Sequence, residues 1–521
     1  NDLVMIYKTI FLLLVATSGL SAAAAGIYNV KDFGASGKKK DNATAAIQRS
    51  INAAVKGGGG IVLIPAGEYT SLPLTLYSNI TLQIDAGAIL YADLTNPDFK
   101  AGAFINAANA HHITIKGKGA INGQASYVYE DLKGEEPPIR EKIALARAAG
   151  VEMKRYYRSP GNAAFNVLLK ACQDITIEDI TLANSSLWCI RIWGSDRVNI
   201  HDVNVMSSLE KGVNSDGIDI DGSRNVHISG CNITVGDDAI CIKSSPWKEG
   251  QGKAPVSENI VVDNCILSSS SAALKLGTES YGDMHHIVFN NCVIRHSNKG
   301  IEINVQDGAH VSDVLFSNLT MDLERRHWNW WGDAEAFHFL LKKRNDASRQ
   351  GCIENVQISN IIAHAQGTSR IVSMIDQPIR HFTMTHIKLF MEAEITPDKR
   401  ASDAICFRNV EQLKLADVEI YWAENKTEPK WASALVMENV KGFELRDITA
   451  RQANHSAQPA VLLVNCADGI LSGCIAQPQT GTFFKVLGAG TSNLNFGKNY
   501  TANAVFPLEI SPEVRKNQLS F

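Results

Sequence analysis

Three aspartates, Asp216, Asp237 and Asp238, combine residue type and spacing in the way acid–base chemistry requires. They lie in NSDGIDIDGSRNVHISGCNITVGDDAICIKS (214–244), where an acid, a small residue and then Ile-x-Ile occur in order twice. The copies are Asp216-Gly217-Ile218-Asp219-Ile220 and Asp238-Ala239-Ile240-Cys241-Ile242, with Asp237 just ahead of the second. Two later copies carry other residues in the acid's place: Ala272-Ala273-Leu274-Lys275-Leu276 and Lys299-Gly300-Ile301-Glu302-Ile303. If these are successive strands of one parallel sheet, equivalent positions stack about 4.8 Å apart. Asp216 and Asp238 then occupy adjacent rungs, with Asp237 beside them. Neighbouring carboxylates raise one another's pKa, so a chain keeps such a trio for acid–base work or for a bound cation rather than for stability. A solvated acidic turn is the plain alternative.

A sheet of that kind has to come from repeats, and the chain has them. ITIEDITL (175–182), VNIHDVNV (198–205), VHISGCNI (226–233), IVVDNCIL (260–267), IVFNNCVI (287–294), VLFSNLTM (314–321) and VQISNIIA (356–363) are variants of one unit. Each holds two short runs rich in Val and Ile, separated by Asn, Asp, Ser or Gly. A third run carries the small-Ile-x-Ile pattern. Three strands per repeat with no intervening helix describe an all-β solenoid, the right-handed parallel β-helix. A sandwich or propeller would instead show hairpin pairs with two-residue turns. Asn42 to Val55 reads as one amphipathic helix, with Ile47, Ile51 and Val55 on one face and Gly57 to Gly60 stopping it, placed to cap the open end. A charged, helix-leaning insert at about 127–158 is expected to wall a groove, and residues 26–521 read as a single domain. Within Ile-x-Ile the aliphatics face the core, so the middle residues face outward. That places Arg191, Asp219, Cys241, Lys275 and Glu302 in one outward ladder, with Lys243 and Asn304 two residues further along their strands. Its mixed signs predict surface ion pairs, each contributing about 0–1 kcal/mol.

Composition narrows the partners. The chain has 521 residues and a net charge of −4, with Lys and Arg interspersed among Asp and Glu, and no basic stripe for nucleic acid. Lys8, the apolar run Ile10 to Ala16 and the small residues Ser21 to Ala25 follow the order of a secretory signal peptide over 1–25, with Met5 as the natural start. That run is too short to anchor in a bilayer; a buried N-terminal helix is the alternative. The expectation is an exported monomer, periplasmic or extracellular, with no membrane partner. Ten cysteines would suit a disulfide framework, but Cys231, Cys265 and Cys292 recur at one place in GCNI, NCIL and NCVI and read better as a stacked interior ladder. No CxxC pair or Cys/His cluster suggests zinc. Asn79, Asn232 and Asn318, each in Asn-x-Ser/Thr, read as turn Asn followed by strand Thr rather than as glycan sites.

These residues carry a resemblance. YNVKDFGASGKKKDNATAAIQRSINAA followed by GGGGIVLIPAGEY resembles the N-terminal cap and first coils of secreted pectin-degrading β-helix enzymes. Asn214-Ser215-Asp216 and Gly236-Asp237-Asp238 are similar to the Asn-Thr-Asp and Gly-Asp-Asp motifs of glycoside hydrolase family 28, the polygalacturonase family. The likeness covers about residues 26–345 well and the C-terminal coils weakly. It implies Asp237 as general acid, Asp216 and Asp238 as the groups that activate water, and no metal or other cofactor. Two places depart from the pattern: the family's Gly-His-Gly falls at Ser271-Ala272-Ala273, and its Arg-Ile-Lys at Glu302-Ile303-Asn304. Both cations that hold a galacturonate carboxylate are thereby replaced, which argues against plain polygalacturonan as the substrate.

An inverting glycosidase sets a protonated carboxyl and a water-activating carboxylate ~6.5–9.5 Å apart, and adjacent rungs plus Asp237 are expected to supply that geometry. Crowding by Asp216 and Asp238 is expected to keep Asp237 protonated. Asn214, Lys243, Lys275, Glu279, Glu302, Trp331 and Glu335 are candidates for sugar contact, Trp331 within a Trp328, Trp330 and Trp331 cluster suited to stacking. Each has a bland counterpart in a solvated face or simple packing. His285 and His286 read as turn or surface residues, and His338 as a strand histidine. The reading is an inverting hydrolase of pectin-type polysaccharide. A calcium-dependent lyase on the same fold and a non-catalytic carbohydrate-binding solenoid are the rivals.

Overall fold

The computed structural model describes residues 26–521 apart from 100–101, 127, 132–143, 145–147, 151–154, 159–162, 248–253, 327–331 and 425. Residues 1–25, where the leader is expected, the Trp328, Trp330 and Trp331 cluster and most of the centre of the 127–158 insert lie outside the described residues.

The chain winds as a parallel β-helix in which each coil contributes strands to three faces. One coil runs through Asp196–His201, Asn204–Met206 and Ile218–Asp221, and the next through Arg224–Ser229, Asn232–Val235 and Ile240–Ser244. Each strand pairs in parallel with its counterpart one coil on, as Val198 with Val226, Val205 with Ile233, and Ile218 with Ile240. The alternation read from sequence is the cause: every second side chain points inward, and Ile190, Ile218, Ile240, Leu274 and Ile301 stack as one fully buried column. The corners explain the Asn and Asp between the β runs. Asp202, Asn264, Asn291 and Asn318 all adopt left-handed φ values of 53–55°, a conformation that Asn and Asp tolerate better than other non-glycine residues. The carboxamides also bridge coils, since Asn291 Nδ2 donates to Asn264 Oδ1 at 2.6 Å. Asn79 and Asn318 are such corner residues, whereas Asn232 opens a strand.

The helix Thr44–Lys56 caps the first coils and buries Ala46, Ile47, Ile51 and Ala54, with Asn42 Oδ1 accepting the Thr44 N–H at 2.9 Å. Val55, expected on that face, is 40 % exposed: at 100° per residue it has rotated past the apolar stripe, and Ala54 takes its place. The insert also differs from expectation at its ends. Val128–Asp131 and Arg155–Arg158 pair as an antiparallel ribbon rather than as helix, in keeping with the β preference of Tyr129, Tyr156 and Tyr157. Cys231, Cys265 and Cys292 form the interior ladder, each 1 % exposed, and all ten cysteines are free. Among the described residues no helix is long and apolar enough to cross a membrane.

Candidate active site

The three acids sit on one face, where the strands Ile190–Trp193, Ile218–Asp221, Ile240–Ser244, Ala272–Ser280, Lys299–Val305 and Glu335–Leu341 run side by side. Asp216 and Asp238 stand two residues ahead of their strands and are joined by backbone: Gly217 N–H donates to the Asp238 carbonyl at 2.8 Å, and Ala239 N–H to that of Ala272 at 2.9 Å. The small residue after each acid is a packing requirement. A Cβ added to Gly217 would meet the Ala239 carbonyl oxygen at 2.4 Å. The acid column continues through Ala272, Lys299 and Glu335, which pair in that order.

One carboxylate oxygen from each of Asp216, Asp237 and Asp238 lies within 4.8 Å of the others, and the residues are 2, 8 and 2 % exposed. The expected ~6.5–9.5 Å gap between acid and base is therefore not what the nearest oxygens show. The spacing between sheet rungs sets the shorter distance. Asp237 accepts the backbone N–H of Asn214 at 3.2 Å and of Asp238 at 2.9 Å. Asp238 accepts Ala272 N–H at 3.1 Å and Lys275 Nζ at 2.7 Å, one on each oxygen. Asp216 Oδ2 accepts Lys243 Nζ at 3.3 Å, while its buried Oδ1 has no hydrogen-bond partner. Burial pushes the Asp237 carboxyl well above the usual carboxylate range, and the charges of Asp216 and Asp238 push it further. Crowding was expected to be the main cause; it comes second, because desolvation penalises an ion walled off from water more than a neighbour does. Burial also raises Asp216, to about 6, against the pull of Lys243.

The outward ladder departs most from expectation. Its charges are buried pairs, not surface ones: Asp219, Glu302 and Lys275 are 0, 1 and 8 % exposed. Lys243 Nζ lies 3.1 Å from Asp219, 3.3 Å from Asp216 and 3.6 Å from Glu279, and 3.5 Å above the centre of the Trp188 ring. Lys275 reaches Asp238 at 2.7 Å and Glu302 at 3.9 Å, and Lys299 holds Glu302 at 2.5 Å. His338 lies 2.8 Å from Glu335 and 4.0 Å from Glu302. Against the penalty of burial, Lys299 and Lys275 hold the Glu302 carboxyl below the usual range, and His338 does the same for Glu335. These side chains are closed to water, and buried charges then persist only as pairs.

Of the candidate residues, Asp216, Asp237, Asp238, Lys243, Lys275, Glu302 and Glu335 converge on this face. Glu279 joins at its edge, with a side chain 36 % exposed. Asn214 is exposed in a left-handed turn and touches Asp237 through its backbone. Glu302 and Glu335 are each 1 % exposed and hold protein cations rather than opening to solvent. Trp331 lies outside the described residues. His285 and His286 pair with Glu258 and Asp313 on another face. Sequence reasoning passed over Lys299 and Trp188. Both had a signal, since each stands in the acid's place of its own copy of the repeat (Trp188-Cys189-Ile190-Arg191-Ile192 for the second). The three acids are close enough to share a cation. Two ammonium groups already stand at 3.3 and 2.7 Å from Asp216 and Asp238, so the donor set fits a metal ion poorly.

A parallel β-helix with a buried triad of acids on one face defines a class of carbohydrate-active proteins, and comparison with known proteins makes it specific. Residues 60–324 match the family model described as glycosyl hydrolases family 28, and the chain belongs to that family. A probable polygalacturonase of Vitis vinifera is 26 % identical over 276 residues, 48 % of this chain and 51 % of that protein. An exo-poly-alpha-D-galacturonosidase of Dickeya chrysanthemi is 24 % identical over 300 residues, 50 % of this chain and 49 % of that protein. The chain thus spans about half the length of the curated relatives it matches. The crystal structure of a hyperthermoactive exopolygalacturonase from Thermotoga maritima superposes with a TM-score of 0.58 at 20 % identity, covering 76 % of this chain and 92 % of that one. The family 28 exopolygalacturonase of Yersinia enterocolitica gives 0.60 at 17 % identity, covering 82 and 78 %. At these identities the structures establish the shared fold.

Proposed function

We propose that the chain is an exported glycoside hydrolase of pectin-type polysaccharide, acting through one continuous β-helical domain over 26–521 after loss of the leader. Asp237 protonates the leaving glycosidic oxygen, and Asp216 and Asp238 together activate a water that attacks the anomeric carbon with inversion. The observation that carries this reading is the contrast among three acids in one place: burial and its neighbours push Asp237 toward its protonated form, while Asp216 and Asp238 each face a lysine ammonium. One acid and one base of opposed protonation are what general acid–base hydrolysis requires. The unpartnered Asp216 Oδ1 leaves an acceptor for the attacking water. Family membership and the galacturonan-cleaving activities named for the relatives point the same way.

The substrate is narrower than the family's name. Lys275 is not available to replace the missing family cations at Glu302 and Asn304, because it is paired with Asp238 and Glu302. Glu302 in turn is buried against Lys299 and repels a uronate less than an exposed carboxylate would. Charge-assisted hydrogen bonds contribute roughly 1.5–3 kcal/mol each, so polygalacturonan is bound weakly and a branched or rhamnose-containing pectic fragment is the better substrate. Initial rates on homogalacturonan and rhamnogalacturonan oligosaccharides at equal concentration test this, and a clearly faster homogalacturonan reaction defeats the charge argument. Proton NMR of the first product tests the chemistry. An inverted reducing end, unaffected by chelator, supports the mechanism; a retained one removes the paired-base role of Asp216 and Asp238. An unsaturated, ultraviolet-absorbing product lost on chelation would establish a lyase.

A further inference from the structure

We propose that Lys275 is a positioning residue: its ammonium holds the Asp238 carboxylate toward the water, and it does not hold the sugar. This rests on the reading of Asp238 as part of the base.

Lys275 lies one rung beyond Asp238, in the middle of the strand Ala272–Ser280. Both Asp238 oxygens are engaged, Oδ1 by the Ala272 N–H at 3.1 Å and Oδ2 by Lys275 Nζ at 2.7 Å, so the carboxylate plane is fixed. Lys275 is itself fixed from the far side. Glu302 Oε2 stands 3.9 Å from its Nζ, and Glu302 is held by Lys299 at 2.5 Å and by Asn304 Nδ2 at 3.2 Å. Asp238, Lys275, Glu302 and Lys299 form a row of alternating charge, 2, 8, 1 and 3 % exposed. A lysine that bound a substrate carboxylate would have to leave two buried anions, and an unpaired buried charge is strongly unfavourable.

The charged and titratable groups around Lys275 are few. Asp237, Asp238, Cys241 and Lys243 face it from the strand Ile240–Ser244 and the turn before it, with Asp216 one rung further. Lys299 and Glu302 face it from the strand Lys299–Val305, and His338 stands beyond Glu302. Glu279 ends its own strand. Burial keeps the Cys241 thiol neutral, so the direct anionic partners of Lys275 are Asp238 and Glu302.

The test compares Lys275→Met and Lys275→Arg for the pH dependence of kcat/KM, and measures oligosaccharide affinity calorimetrically in an Asp237→Asn background. Lys275 also helps to hold the Asp216 carboxyl, which sets the acid limb, below where burial alone would put it. Lys275→Met therefore moves the acid limb of kcat/KM upward and lowers kcat, with affinity changed less than about threefold. Lys275→Arg keeps the limb near its wild-type place. An unmoved limb, or an affinity about tenfold weaker, would overturn the proposal. If Lys275→Met does not fold, the double variant Asp238→Asn/Lys275→Met removes both members of the buried pair. It should bind oligosaccharide as Asp238→Asn alone does, and a clear further loss overturns the proposal. Near wild-type turnover in Asp238→Asn would instead remove the base reading itself, an outcome that no Lys275 result can produce.

Discussion

The same outward ladder crosses the whole solenoid but is used differently in its two halves. Between Asp219 and Glu302 it carries buried charges. Further along it runs through Arg370, Cys406, Val436, Leu462 and Lys485, joined by the same parallel pairing. There it is apolar or bears ion pairs open to water, such as Lys485 with Glu509 at 3.2 Å, both 38 % exposed. One column over, Arg408 and Glu438 pair at 2.7 Å with 53 and 36 % of their side chains exposed. Backbone geometry is common to both halves, so the fold does not dictate where the chemistry lies. What differs is cover. Where the face is closed to water, desolvation lifts the pKa of Asp237 and Asp216 and obliges each lysine to take a fixed partner. On the open coils the same kinds of side chain remain ordinary surface ions.

The largest expected difference between the halves is in turnover. Asp237→Asn should fold and bind oligosaccharide yet lose about 10²–10⁴-fold in kcat, the usual contribution of a general acid. A rate within a few-fold of wild type would take Asp237 out of the mechanism. Next in size is the stability of the buried pairs. Lys299→Met leaves Glu302 buried with Asn304 Nδ2 donating to it at 3.2 Å and with Lys275 and His338 as its remaining cationic partners, at 3.9 and 4.0 Å. Breaking one side of a buried pair costs about 3–5 kcal/mol, and those neighbours place this case near about 3 kcal/mol. A clear fall in Tm is expected; an unchanged Tm would mean that the pair is less enclosed than it looks.

The pH profile sharpens the same contrast. Asp216 has to be ionised and its carboxyl is raised to about 6, so kcat/KM should fall as pH drops through that region. Asp237 has to be protonated and its carboxyl is also raised, well above the usual range, so activity should fall again on the alkaline side as it ionises. A single acid limb near the ordinary carboxylate value of about 4 would contradict the burial argument. The sign also reaches stability. A carboxyl whose folded pKa is raised contributes fully below its unfolded pKa of about 4 and loses that contribution as pH rises through the folded value. Asp237→Asn should therefore raise Tm, and by more at pH 9 than at pH 5. An equal gain at both would show that the substitution acts through packing rather than through charge.

Sequence legibility follows the same division. The Ile ladders were legible because a period of two with one buried face leaves no other register, and Asp216 and Asp238 because they stand at fixed offsets from those ladders. The Asn and Asp corners were visible as punctuation. What sequence could not give is dielectric. Asp219, Lys275 and Glu302 read as a mixed-sign surface ladder because exposure depends on which turns fold over a strand, and those turns are not periodic. Lys299 and Trp188 stand in the acid's column of the repeat, but their part in the site depends on their burial against Glu302 and Lys243, which residue type does not reveal. Val55 shows the converse error: an i, i+4, i+8 reading carried too far around a helix.

The smallest expected effect is the control that gives the others meaning. Arg408 and Glu438 form a short ion pair, at 2.7 Å, and distance alone would rank it with Lys275 and Asp238. Water reaches both partners, however, so most of the Coulomb attraction is screened, and holding two long side chains in one geometry costs entropy. Arg408→Ala should change stability by about 0–1 kcal/mol, leave Tm nearly unmoved and leave kcat/KM and its pH limbs where they are. High salt should erase even the small stability change, while the effect of Lys299→Met should persist, because ions do not penetrate that part of the ladder. If Arg408→Ala were as damaging as Lys299→Met, cover could not be what separates the two halves. The pairs would then have to be ranked by distance alone.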